Sequence, residues 1–214
     1  MGVALGVVAN SPSPAPVMTR STFVRFLSIV FGAFVVASCS DSGVLGPEVL
    51  PDAPTLTDAP RAVSGLELRA LWWKDRDKTL APVSQTIGVL GGTITIPQTG
   101  LTVSFPAGAV AAPITITITP DQDYVAYKLE PAGTQFLAPV TVTQSIAYTE
   151  LDGRQLTKPL FAAYIADDKV SLSGNVPVSE LEPAQTIFSP LSPLIPESHV
   201  WIIRHFSRYM LASG

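Results

Sequence analysis

Apolar and hydroxyl side chains alternate in three short runs between Gly91 and Pro120. Ile94 and Ile96 alternate with Thr93 and Thr95, then Leu101, Val103 and Phe105 with Thr102 and Ser104, then Ile114, Ile116 and Ile118 with Thr115, Thr117 and Thr119. A period of two sends one set to a buried face and the other toward water, which predicts three strands. The breaks at Gly91-Gly92, Pro97-Gln98-Thr99-Gly100 and Pro106-Ala107-Gly108-Ala109 carry turn chemistry, glycine for positive φ and proline for a fixed φ. The simplest expectation is a β-meander.

Similar patterning flanks this stretch. Leu66 to Trp73 alternates loosely and predicts a leading strand, followed by a charged loop from Lys74 to Leu80, and residues 84–90 lead into the meander. Beyond the acidic turn Asp121-Gln122-Asp123, strands are predicted over 124–129 and 140–143. Residues 161–165 and 169–172 flank a hairpin-like turn at Ala166-Asp167-Asp168. Four prolines between Val176 and Ile195 predict irregular chain, and residues 199–211 predict a long final strand or a strand pair. No stretch has the 3.6-residue period of an amphipathic helix. Short strands at regular spacing predict an all-β protein, an antiparallel β-sandwich over residues 84–214 with a leading strand and loop at 66–83.

The first 65 residues follow a different pattern. Residues 1–17 are uncharged and end in a proline-rich stretch; Arg20 and Arg25 then precede an apolar run from Phe26 to Ala37. A basic start, a short apolar middle and small residues at the end are the parts of a secretory signal over 18–38, with Met18 the expected start of translation. The apolar run falls short of the roughly 20 residues that a membrane-spanning helix needs. Residues 39–65, rich in Pro, Asp, Gly and Ser, offer no core and predict a flexible tether.

Composition narrows the function classes. Only 14% of the 214 residues are charged while 47% are hydrophobic, a balance that suits an exported β protein. A net charge of −4 argues against nucleic acid as a partner, and removal of Arg20 and Arg25 with the signal makes the remainder more acidic still. With Cys39 the single cysteine there is no internal disulfide and no cysteine-clustered metal site. His199 and His205, the two histidines, cannot form a histidine metal cage without carboxylate help, so neither a metal nor a cofactor is assigned. Asp121 and Asp123 lack the later ligands and the glycine of an EF-hand loop. Trp72, Trp73 and Trp201 are candidate stacking platforms for a carbohydrate, against the plainer expectation that they serve the core; neighbours on a strand face opposite ways, so one of Trp72 and Trp73 should be buried.

Two resemblances add to this reading. Val36-Ala37-Ser38-Cys39 resembles the lipobox of bacterial lipoproteins. The resemblance implies a lipidated Cys39, cleavage before it, and membrane anchorage in a bacterial cell envelope; Ser40 in place of aspartate points toward the outer membrane. Each buried methylene of the acyl chains would contribute about 0.8 kcal/mol. The second resemblance lies in GGTITIP, GLTVSFPAGAV, ITITITP, VAYKLEPAGTQFLAPVTV and HFSRYML, taken in order, with Gly91-Gly92, Pro106 to Ala109, Phe136 and Pro139-Val140 as the hallmarks. Together they resemble the ZU-five domain of zonula occludens, netrin-receptor and ankyrin proteins, over residues 84–214. That implies a β-sandwich that docks neighbouring domains or other proteins.

Some domains of that family cut themselves between Phe and Ser of a His-Phe-Ser sequence, and His205-Phe206-Ser207 matches it. The resemblance implies attack by the Ser207 hydroxyl on the Phe206 carbonyl, an N-to-O acyl shift with His205 as base, and hydrolysis of the ester. In a regular strand His205 and Ser207 would share a face about 6.5–7 Å apart, and strain would have to close the gap. The plainer expectation puts Phe206 and Met210 in the core with His205, Ser207 and Tyr209 on the opposite face. With no GxSxG elbow, a turnover hydrolase is not expected. Three functions remain: a lipid-anchored module that binds an envelope protein, a self-cleaving domain, and a carbohydrate-binding surface lipoprotein.

Overall fold

A computed structural model describes residues 54–214; Cys39, the expected signal and the first part of the expected tether lie outside the described residues. The protein is an all-β antiparallel sandwich. One sheet has five strands in the order β12-β13-β8-β5-β4, where β4 is Gly92–Ile96, β5 Leu101–Phe105, β8 Gln135–Ser145, β12 Ala184–Ser189 and β13 Ser192–His205. The other sheet has nine, running β1-β11-β9-β14-β7-β6-β3 with β2 and β10 off this path. Its strands are β1 Arg61–Ala62, β2 Glu67–Ala70, β3 Val83–Ile87, β6 Ile114–Pro120, β7 Ala126–Glu130, β9 Leu160–Ile165, β10 Asn175–Pro177, β11 Glu180–Leu181 and β14 Arg208–Ser213. A 3-10 turn at Ile146–Tyr148 interrupts the strands.

The three alternating runs are strands with the expected faces. Ile94, Ile96, Leu101, Val103, Phe105, Ile116 and Ile118 are all buried in one core between the sheets, each worth roughly 1.5–3 kcal/mol of hydrophobic stabilisation. They do not form a meander. β4 pairs β5 in the five-stranded sheet, whereas β6 pairs β3 and β7 in the other. Residues 83–120 are a single ribbon, β3-β4 against β5-β6, folded over the edge of the sandwich so that its tip and base join different sheets. Gly91 makes the corner: its φ is +78°, and a Cβ there would lie 2.2 Å from the Phe105 carbonyl oxygen. The turn-forming residues at 88–91 and 106–113 therefore mark corners, where strands change sheets.

Other expectations need correction. Residues 169–172 are not a strand. The proline-rich stretch 176–195 is largely ordered in pairs: β10 with β2, β11 with β9, and β12 with β13. Pro177 ends β10, Pro183 lies between β11 and β12, Pro190 is in the β12-β13 turn, and Pro193 falls in the part of β13 before Ser198, which pairs β12 but not β8, so few ladder bonds are lost. The last stretch is a strand pair, β13 and β14, but the two belong to different sheets and the chain crosses between them at Phe206-Ser207. Tyr209 consequently faces the main core, opposite to expectation, while Met210 enters a second one.

That second core lies inside a small closed ring of strands. Asn175 to Leu181 pairs first with β2 and then with β9, and β9 and β2 both pair with β14. Leu68, Ala70, Phe161, Ala163, Val176, Leu181, Met210 and Ala212 fill the ring. Strands β9 and β14 are therefore buried on both faces, as their near-continuous apolar sequences require. Within the stretch expected as tether, residues 54–65 lie against the domain: the Ala184 N–H donates to the Pro54 carbonyl and β1 pairs β11.

Candidate functional site

The expected site residues sit where the chain crosses between sheets. His205 ends β13 opposite Gln135, after a register shift that follows Ile203. Phe206 leaves the ladder and drops its ring into the core, edge-on to Phe136 with centroids 4.7 Å apart. Its N–H donates to the Thr134 carbonyl at 2.8 Å, and its own carbonyl accepts from the Gly133 N–H at 3.2 Å. The Ser207 carbonyl accepts from the Leu129 N–H at 2.9 Å. Phe206 is thus held by the turn joining β7 to β8, and Ser207 by β7 itself.

The His205 ring has partners other than Ser207. Its Nδ1 lies 3.2 Å from the Tyr209 hydroxyl, which donates to the His205 carbonyl at 2.8 Å, and its ring meets Tyr164 edge-on at 5.0 Å. The serine hydroxyl has no hydrogen bond to the imidazole. With Gln135, Tyr164 and Asp168, all three residues line a shallow surface pocket of about 390 Å³.

On the core side of His205 the structure gathers residues that the sequence did not single out. Glu180, Tyr164, Tyr209 and Tyr127 occupy one register row across β11, β9, β14 and β7. Glu182 follows just past β11, where the chain crosses to the five-stranded sheet. One carboxylate oxygen from each of Glu180 and Glu182 and one ring nitrogen of His205 lie within 4.8 Å of one another. Glu182 is 1% exposed, and neither of its carboxylate oxygens has a hydrogen-bond partner. Burial pushes its carboxyl up to about 8; Glu180 adds to the shift and Arg204 opposes it. Burial, with the charges of Glu182 and Glu180, also raises Tyr209 above its usual range. The Glu-Leu-Glu-Pro order of 180–183 does encode two carboxylates on one side of a strand. Nothing in it points to a histidine 23 positions after Glu182.

Of the three tryptophans, Trp73 and Trp201 are buried core residues. Trp72 is half-buried and already stacked, with the Tyr124 ring 4.1 Å away and the Arg76 guanidinium 4.1 Å from its centroid. Asp121 caps its own turn, Oδ1 accepting from the N–H groups of Asp123 and Tyr124. No family model matches this chain, and a search among curated proteins likewise found no match.

Proposed function

We propose that the chain is a lipid-anchored, ZU-five-like β-sandwich that binds another protein of a bacterial cell envelope, and that it is not a turnover enzyme. The observation that carries this reading is the β12-β13 hairpin. β12 forms one edge of the five-stranded sheet, and Ile187, Phe188, Leu191 and Leu194 are exposed on the hairpin, Leu191 at 95%. Among the described residues no strand pairs the outer side of β12, and such an edge with apolar side chains favours strand addition or docking by a partner's apolar surface. Cys39 would hold this surface at the membrane.

Two measurements test it. Metabolic labelling with an alkyne fatty acid should mark the wild type and spare Cys39→Ser; equal labelling of both would refute the anchor. A photo-crosslinker at position 191, used in intact cells, should give a discrete adduct that Phe188→Lys abolishes. No adduct beyond that from a crosslinker at exposed Lys158 would refute the docking surface.

Self-cleavage is retained as a second reading for one contact, the Gly133 N–H on the Phe206 carbonyl oxygen, a donor placed where negative charge would develop. Intact mass after incubation at neutral pH should then show two fragments in the wild type and one uncut chain in Ser207→Ala. A single uncut species in both dismisses it.

A further inference from the structure

We propose that Glu180, Glu182 and His205 form a binding site for a divalent transition-metal ion of the zinc class. Three observations meet here. The first is the donor set, two carboxylates and an imidazole whose ligand atoms lie within 4.8 Å of one another. Imidazole and carboxylate together suit Zn²⁺ and its first-row neighbours, whereas Ca²⁺ and Mg²⁺ prefer oxygen alone.

The second observation is Glu182 itself. A carboxylate with both oxygens buried and unpartnered is costly unless a cation or donors satisfy it. Arg204 lies near enough to act on its charge, yet makes no hydrogen bond to it. The third is support for the ligands. The Tyr209 hydroxyl at the His205 Nδ1 is the kind of outer partner that fixes an imidazole's orientation at a metal. Glu180 and Glu182 are fixed by the β11-β9 pairing, through the Glu180–Tyr164 register and the hydrogen bond from the Glu182 N–H to the Ala162 carbonyl.

Ligands about 2.0–2.2 Å from a shared tetrahedral zinc lie about 3.3–3.6 Å apart. Small rotations of the partly buried Glu180 and His205 side chains would bring the atoms to that spacing. Three protein ligands leave the remaining position to water. The ion would tie β11 of one sheet to the end of β13 in the other, and so brace the crossover on which Phe206 and Ser207 lie.

The test uses the untagged full chain in detergent, stripped with a chelator and titrated with Zn²⁺ against a chromophoric competitor. One ion per chain is expected, with a higher midpoint of thermal unfolding when it is bound. Glu182→Gln, which keeps the shape of the acid, should weaken binding at least a hundredfold, and so should His205→Ala. Glu197→Gln, at an exposed position on β13, should leave it unchanged within about twofold. His205→Ala carries the test should Glu182→Gln fail to fold. Absence of stoichiometric Zn²⁺ binding to the wild type, or binding that survives substitution of either ligand in a folded variant, overturns the proposal.

Discussion

The Tyr209 hydroxyl donates to the His205 carbonyl at 2.8 Å, so the start of β14 is tied back onto the last residue of β13 across the passage between sheets. The bond explains how the chain holds a sharp crossover without a glycine. Tyr209 is 1% exposed, so its hydroxyl has no water to fall back on.

Tyr209→Phe keeps the ring and its packing but leaves the His205 carbonyl without its donor. The loss should cost about 1–2 kcal/mol of stability. Urea unfolding of wild type and variant, with unchanged m, measures it; an unchanged midpoint would mean that the bond holds nothing.

Gln144 is the polar centre of the main core. It is fully buried, accepts from the Tyr127 hydroxyl at 2.6 Å, and donates to the Thr99 and Ser145 carbonyls at 2.6 and 2.8 Å. Gln144→Leu strands these partners and should cost about 2–4 kcal/mol. Adding Tyr127→Phe should recover part of the loss, because one orphaned group disappears. A double-mutant cycle by denaturant unfolding tests the coupling.

Gly91 and Gly108 share a φ of +78° but not surroundings. Alanine at Gly108 meets open space and should cost only the roughly 1–2 kcal/mol of a left-handed backbone. Alanine at Gly91 adds the clash with Phe105 and Pro106 and should cost clearly more, opening the fold in the ribbon. Comparing the two unfolding midpoints decides it; equal losses would refute the corner role.

His199 is buried with Nδ1 3.0 Å from the Thr186 hydroxyl, and burial holds its pKa down to about 3. The unfolded chain binds a proton near pH 6.5 and the folded one does not. This contribution to stability is therefore complete above pH 6.5 and falls as pH drops toward 3, by about 2 kcal/mol at pH 5. His199→Gln should flatten that part of the stability profile between pH 7 and 5. A parallel slope in wild type and variant would count against it.

Fold class was legible because period-two patterning needs only local sequence: Ile94 to Ile118 point inward wherever the strands lie. Partnership was not legible. The Gly91-Gly92 and Pro106 to Ala109 signals do mark turns, but the strands they join lie in different sheets, since glycine and proline permit a reversal within a sheet and a change of sheet equally well. The prolines of 176–195 suggested loop because edge positions cannot be recognised until the sheet is assembled.

The candidate site divides the same way. By itself the sequence determined the His205-Phe206-Ser207 motif, the alternating faces, and the burial of one tryptophan of the pair at 72 and 73. Only the tertiary structure decided that His205 meets Tyr209, Tyr164 and two glutamates. The alternation constrains each strand's two faces, but the meeting of Glu182 with His205 depends on where two separate crossovers land. That is set by packing between sheets, which no local pattern encodes.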